Sequence, residues 1–296
     1  MAIVQLNPDI PVNIFEIPST RSNEVRTHFE RGDLVILSDV RIDADFDYLS
    51  KLEPPATERT RRDKYAFWRV RKRIPNDQSL LHQFGHALFP QRQEDFERFV
   101  TAIRHVNAQM DNVVRTIFNR HTFLTKTVTW KFQRNRGENI HIDNLEGCNQ
   151  HAQVRLFANL DSKPRKWAVG KHWRYYAEQL YQSARLHEVA NDPYKFNGRL
   201  TQTAFGPSWS SSDEPRHLIE FAPGEMWLVN SALVAHQIRH GNLLCTAHYE
   251  YPYRQYVDRS VSLPSQVKSL SRKYNQQESI FRRYGSKLYN AILPHP

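Results

Sequence analysis

Between residues 93 and 119 apolar side chains recur every three to four positions: Phe96, Phe99, Val100, Ile103, Val106, Met110, Val113 and Ile117. That spacing predicts an amphipathic helix with one buried stripe. Glu94, Asp95 and Glu97 fall in its first turn, where carboxylates suit the positive end of the helix dipole. From Thr125 the period becomes two. Thr125–Phe132, His151–Asn159, His217–Phe221, Glu225–Val234 and Asn242–Tyr251 alternate as half-buried strands do, and Leu34–Leu37 is strand-like. A second helical stretch, Lys171–Ala190, interrupts the series. Strands in this number with short turns predict a mainly β core, closed as a barrel or sandwich, with helices packed outside.

The chain has 296 residues, enough for one large domain or two modest ones. Its 2 cysteines, Cys148 and Cys245, are too few for a disulfide framework, so a reducing compartment is expected. The first twenty residues carry no Lys or Arg and no long apolar run, which argues against a secretory signal. With 10 glycines and no glycine-rich strand-to-helix motif, a phosphate-cradling loop is not expected.

Charge changes the picture more. The net charge is +10, but it is local. Residues 59–73 carry +7, residues 254–296 carry +6, and the remainder is slightly acidic. A basic balance predicts an anionic partner without choosing among nucleic acid, membrane surface and small acids.

One group of residues carries chemistry. In His141-Ile-Asp143 the strand pattern would place both side chains on one face. Later, Pro223-Gly224-Glu225 forms a turn and launches the strand that leads to His236. Two imidazoles and one carboxylate make the facial triad of non-haem iron(II) oxygenases, with positions left for a co-substrate and dioxygen. Zinc is the competing metal, since the same donors could activate water. His240 and His248 stay open as alternatives for the third ligand. If the co-substrate is 2-oxoglutarate, its far carboxylate needs a cation, best an arginine fork. The window Asn242–Tyr251 has no Lys or Arg, and its nearest candidate is His248. Arg155, between Val154 and Leu156, would face the other side of its strand, which in a barrel is the lumen.

The run Trp130-Lys-Phe-Gln-Arg-Asn-Arg-Gly-Glu-Asn-Ile-His-Ile-Asp-Asn144, with Pro223-Gly-Glu-Met-Trp227 and His236, resembles the Kdo 3-hydroxylases over roughly residues 125–255. These are bacterial enzymes that use iron(II), 2-oxoglutarate and O2 to hydroxylate C3 of the sugar acid of lipopolysaccharide. The resemblance implies a double-stranded β-helix (jelly-roll or cupin-like) core, with His141, Asp143 and His236 as the Fe(II) ligands. It leaves the anchor of 2-oxoglutarate to Arg155 or His248. It implies Kdo-lipid A or a related anionic glycolipid as partner, and a cytoplasmic enzyme held peripherally at the inner membrane of a Gram-negative bacterium. Arg134, Arg136 and Arg239 would then meet substrate acids at the mouth.

The two basic segments have readings of their own. In residues 254–296 Val267, Leu270, Tyr274, Phe281, Tyr284, Leu288 and Ile292 recur at helical spacing among six cations. Such a helix would lie on an anionic membrane surface, or else pack on the body or on another subunit of a homo-oligomer. Residues 59–73, with Tyr65, Phe67 and Trp68, would grip nucleic acid, sit among headgroups, or form a basic strand whose aromatics reach the core. The expected organisation is one oxygenase domain over 1–253, with an α/β elaboration at 1–124 and the β-helix at about 125–253, then a basic helical extension over 254–296. Rival readings are an oxygenase acting on nucleic acid or protein, and a metal-free barrel binding an acidic glycan or membrane. Nucleic acid is not favoured.

Overall fold

The computed structural model describes residues 1–55, 64–71, 74–132, 137–206 and 214–276. The amino-terminal half supplies β1 (Ile3–Gln5), β2 (Ile14–Ile17), α1 (Ser22–Arg31), β3 (Leu34–Arg41), α2 (Phe46–Leu49), β4 (Lys64–Arg71), β5 (Ile74–Asp77), α3 (Ser79–Leu88), α4 (Gln93–Ile117) and β6 (Thr125–Phe132). The other half supplies β7 (His151–Asn159), β8 (Arg165–His172), α5 (Trp173–Leu180), α6 (Pro193–Phe205), β9 (His217–Phe221), β10 (Glu225–Val229), β11 (Val234–His240) and β12 (Leu243–Pro252). A further helix, α7, covers residues 263–276.

Two sheets face one another. The smaller has the order β1-β9-β8-β11, and the larger β2-β3-β10-β7-β12-β6-β4-β5. This is a double-stranded β-helix with flanking helices. Between the sheets lies an aromatic core of Phe157, Trp167, Phe221 and Trp227. The large sheet hides its other face under α4. There Val128, Trp130, Val154, Leu156, Cys245, Ala247 and Tyr249 pack against Ile103, Val106, Met110 and Val114. The apolar rows of β6, β7 and β12 therefore point out of the barrel toward the helix. Their other rows line its lumen.

Several expectations hold. β6, β7 and β9 match their predicted bounds, and α4 starts where its acidic first turn placed it. Others are corrected. The single strand expected over Glu225–Val234 is two, because Asn230–Leu233 turns with Leu233 N–H donating to Asn230 O. His236 therefore lies inside β11 rather than at the end of the strand launched by Pro223-Gly224. Lys171–Ala190 contains the end of β8, a shorter α5 and a 3-10 turn. Strand β8 and helix α6 were not anticipated. The amino-terminal strands are built into the core: β1 pairs with β9, and β3 with β10.

The aromatics of the first basic segment settle inward. Tyr65 and Phe67 are buried in the core under α3 and α4, and Trp68 packs near Tyr249. Residues 59–63, 72 and 73 lie outside the described residues. In α7, Val267 and Leu270 are buried in one cluster with Trp173, Tyr176, Phe196 and Leu200. Tyr274 stacks on Tyr181 with ring centroids 4.1 Å apart. The described part of that stripe thus faces the body, and Phe281, Tyr284, Leu288 and Ile292 lie outside the described residues. Among the described residues no helix is long and apolar enough to cross a membrane.

Where the chain leaves β12 it is tied down by Glu30 of α1, whose carboxylate accepts the Val257 N–H at 2.8 Å. Glu30 is 1% exposed, and burial pushes its carboxyl up to about 7 despite the bonds from Val257 and Asp258. Between the ordinary value of 4.5 and about 7 the folded chain holds a proton that the unfolded chain has lost. Stability therefore falls as pH rises through that interval. Glu30→Gln keeps an acceptor for Val257 and removes the titration. Its unfolding free energy relative to the parent should grow by about 3 kcal/mol from pH 4 to pH 8. Urea unfolding at both pH values measures this, and a difference that does not change with pH would refute it.

Candidate metal centre

His141 and His236 are brought together by the backbone. They form an isolated antiparallel bridge and exchange both hydrogen bonds, at 3.0 and 2.9 Å. The expected strand through His141-Ile-Asp143 is thus a loop touching β11 at one residue pair, after which Asp143 N–H donates to Ser231 O at 2.8 Å. The β8–β11 pairing shifts register between Val234 and His236, a bulge directly beside the second imidazole. The helical insertion grips the loop from outside. Asn197 of α6 accepts the Trp173 indole N–H and donates to Asp143 O, while Thr201 Oγ1 donates to Ile142 O.

The donor atoms converge. His141 Nε2 is 3.7 Å from one Asp143 oxygen, and His236 Nε2 is 3.7 Å from the other. Among the described residues this is the one His/Cys/Asp/Glu group whose donors gather, all within 4.8 Å of one another. The tautomers are fixed by the backbone: His141 Nδ1 lies 2.8 Å from Asn139 O, and His236 Nδ1 lies 3.1 Å from Val234 O. A carbonyl only accepts, so each Nδ1 carries the proton and each Nε2 offers its lone pair inward. Burial, and then the His141 charge, pushes the His236 imidazole down to about 4. It is neutral, as a ligand must be, over the ordinary range. Burial would raise the Asp143 carboxyl, but the Arg155 guanidinium and the two imidazoles hold it well below the carboxylate range. This donor set fits a divalent transition metal with one face left open.

The open face looks into a cavity of about 1340 Å³. His236, Trp167 and Ile238 form one wall, and Thr129, Lys131, Arg155, Phe157, Thr246 and His248 come from the large sheet. Arg155 and His248 are cross-strand partners on the lumen face. Arg155 ion-pairs with Asp143 through Nη1 and donates from Nε to Gln153 Oε1 at 2.8 Å. Burial and the Arg155 charge push the His248 imidazole well below its ordinary value, and its Nε2 has no hydrogen-bond partner. His248 is not in the ligand cluster, and neither is His240. Arg239, expected at the mouth, alternates with the inward-facing Ile238, is exposed, and is not among the cavity-lining residues. Arg134 and Arg136 lie outside the described residues.

A scan against protein-family models found no match, and a search of curated proteins found none. Solved structures do match. The Kdo hydroxylase KdoO, a non-heme Fe(II) alphaketoglutarate-dependent dioxygenase, in complex with cobalt(II), aligns at TM-score 0.58 and 12% identity, covering 87% of this chain and 95% of that one. With succinate and Fe(III) the same enzyme aligns at 0.57, and with alphaketoglutarate and Fe(III) at 0.55, with the same identity and coverage. In fold this chain is similar to the Kdo hydroxylase. At 12% identity the likeness is one of architecture, and the chemistry rests on the triad.

Proposed function

We propose that this chain is an Fe(II)/2-oxoglutarate-dependent dioxygenase that hydroxylates C3 of a Kdo sugar on lipid A or a lipopolysaccharide precursor. The observation that carries the oxygenase reading is the His141–Asp143–His236 triad. Its Nε2 lone pairs and carboxylate converge on one face of a lumen in a double-stranded β-helix. Iron held there would supply oxygen activation coupled to decarboxylation of 2-oxoglutarate.

The chain's own residues prepare that chemistry. The two imidazoles and Asp143 would hold the metal, while Phe157, Trp167, Ile238 and Leu244 keep one side of the cavity apolar. Arg155 and His248 offer polar atoms to the co-substrate's far carboxylate. Arg155 does so with the part of its fork not engaged by Asp143 and Gln153. The sugar reading is supported by likeness of fold to the Kdo hydroxylase and by volume. About 1340 Å³ exceeds the roughly 300–1,000 Å³ of a single-ligand pocket, leaving room for a sugar beside a five-carbon diacid. An anionic lipid surface suits the localised basicity of residues 254–296, which would hold the enzyme at the inner membrane.

The test is anaerobic reconstitution with Fe(II), followed by oxygen, 2-oxoglutarate and Kdo-lipid A. The expected result is succinate in step with a product one oxygen heavier on the sugar. Succinate without any change to the glycolipid would overturn the substrate, and absence of iron-dependent succinate with every acceptor would overturn the reaction.

A further inference from the structure

Asp143 is held at both of its flanking peptides. In the peptide before it, Ile142 O accepts from Thr201 Oγ1 at 3.3 Å and the Asp143 N–H donates to Ser231 O at 2.8 Å. In the peptide after it, Asp143 O accepts from Asn197 Nδ2 at 2.9 Å. A peptide unit is rigid and planar, so two fixed planes fix the dihedrals between them. The direction in which the Asp143 side chain leaves the backbone is set with them. Two of the three bonds come from α6, where residues four apart share one face. Gly198 lets that face close in, since a Cβ there would lie 2.9 Å from Asn144 Nδ2.

Asn197 is 0% exposed, and a side-chain amide has one end that accepts and one that donates. Turned over, its oxygen would meet Asp143 O and its NH2 would meet the Trp173 indole, acceptor on acceptor and donor on donor. The indole decides the matter because it only donates. Trp173 Nε1 donates to Asn197 Oδ1 at 2.9 Å, which leaves the amide NH2 for Asp143 O. Trp173 is tied to the other arm of the triad as well. It is the first residue of α5, so its backbone N–H has no partner within the helix. That N–H donates to Leu233 O at 2.7 Å, three residues before His236. One fully buried residue thus grips both segments that carry the ligands, Leu233 directly and Asp143 through Asn197.

We propose that Trp173 and Asn197 are positioning residues of the metal centre. Trp173 braces the two ligand-bearing segments against one another, and its indole N–H sets the amide polarity with which Asn197 aims Asp143. The inference rests on the reading of His141, Asp143 and His236 as a metal site, and on no assumption about the acceptor.

The experiment is cobalt(II) titration of the metal-free full chain without 2-oxoglutarate, followed by visible absorption, with urea unfolding of the same variants alongside. Asn197→Leu, close in volume, should weaken cobalt about tenfold, the lower end for outer partners of metal ligands. The shape of its saturated absorption band should change, because Asp143 meets the metal from another direction. Trp173→Phe should weaken cobalt about fivefold, the worth of one hydrogen bond, although it reaches Asp143 only through Asn197. With Asn197→Leu already in place, Trp173→Phe should cost no further cobalt affinity, while its loss of stability in urea persists. Packing alone would give cobalt losses that add and a band that keeps its shape. The parent's affinity and band in Asn197→Leu overturn the proposal, and so does a Trp173→Phe loss of cobalt affinity that is equal in both backgrounds. A parent chain that binds no cobalt overturns the metal reading itself, which a failure confined to the variants does not. Should Asn197→Leu not fold, Trp173→Phe alone decides, and cobalt affinity equal to the parent's there overturns the proposal.

Discussion

His236→Ala should leave a folded protein that no longer holds a divalent metal. The backbone bridge to His141 uses N–H and C=O groups that alanine keeps, and the lost imidazole stacks on Trp167 without contributing to the sheet ladder. What disappears is one of three inward donors. Structural metal sites with four protein ligands bind with roughly 10–16 kcal/mol, so one ligand is worth about 3 kcal/mol, or at least about 100-fold in affinity. Cobalt(II) titration followed by its visible absorption measures this directly, and iron-dependent succinate formation should fall at least as far. Asp143→Ala should do the same with an added effect. Arg155, 17% exposed at the side chain, would be left facing two imidazoles without its carboxylate. Cobalt affinity within a few-fold of the parent in His236→Ala would remove His236 from the ligand set, and with it the oxygenase reading.

The triad was legible in the residues while its local structure was not. HxD followed by a distal histidine names donors, but the pattern around His141 imitates a strand because Ile140 and Ile142 are apolar. Those two isoleucines are buried under the α5–α6–α7 cluster, which only the folded chain reveals. β10 and β11 merge in the sequence because both strands are buried and apolar residues continue on either side of Asn230-Ser231, the short polar pair that opens the turn. Period-two alternation found β6, β7 and β12, yet it cannot say which face is inside. In a simple sandwich the apolar row would be the interior. Here Val128, Trp130 and Phe132 face α4, and Thr129 and Lys131 face the lumen. Lys131 and Glu138 line the cavity without belonging to a motif, and in the sequence only the polar row of a strand beside the metal motif points to them. Arg155 is legible because a charged residue between the apolar Val154 and Leu156 faces the opposite side of its strand.

Arg155→Gln should weaken metal binding even with no co-substrate present. Arg155 ion-pairs with one Asp143 oxygen, so it fixes which oxygen remains for a metal and keeps the carboxyl ionised. Outer partners of metal ligands typically account for about 10–100-fold in metal affinity. Glutamine is shorter and neutral, and Asp143 would be free to turn between the two imidazoles. The metal-free protein should also lose about 2 kcal/mol of stability, below the range for a fully buried pair because both partners remain partly exposed. If Arg155 served only the far carboxylate of 2-oxoglutarate, cobalt affinity would be unchanged and 2-oxoglutarate affinity alone would drop. Titrating cobalt first without and then with 2-oxoglutarate separates the two roles. The geometry requires that the first titration already differ from the parent, because the guanidinium touches the metal's carboxylate before any co-substrate arrives.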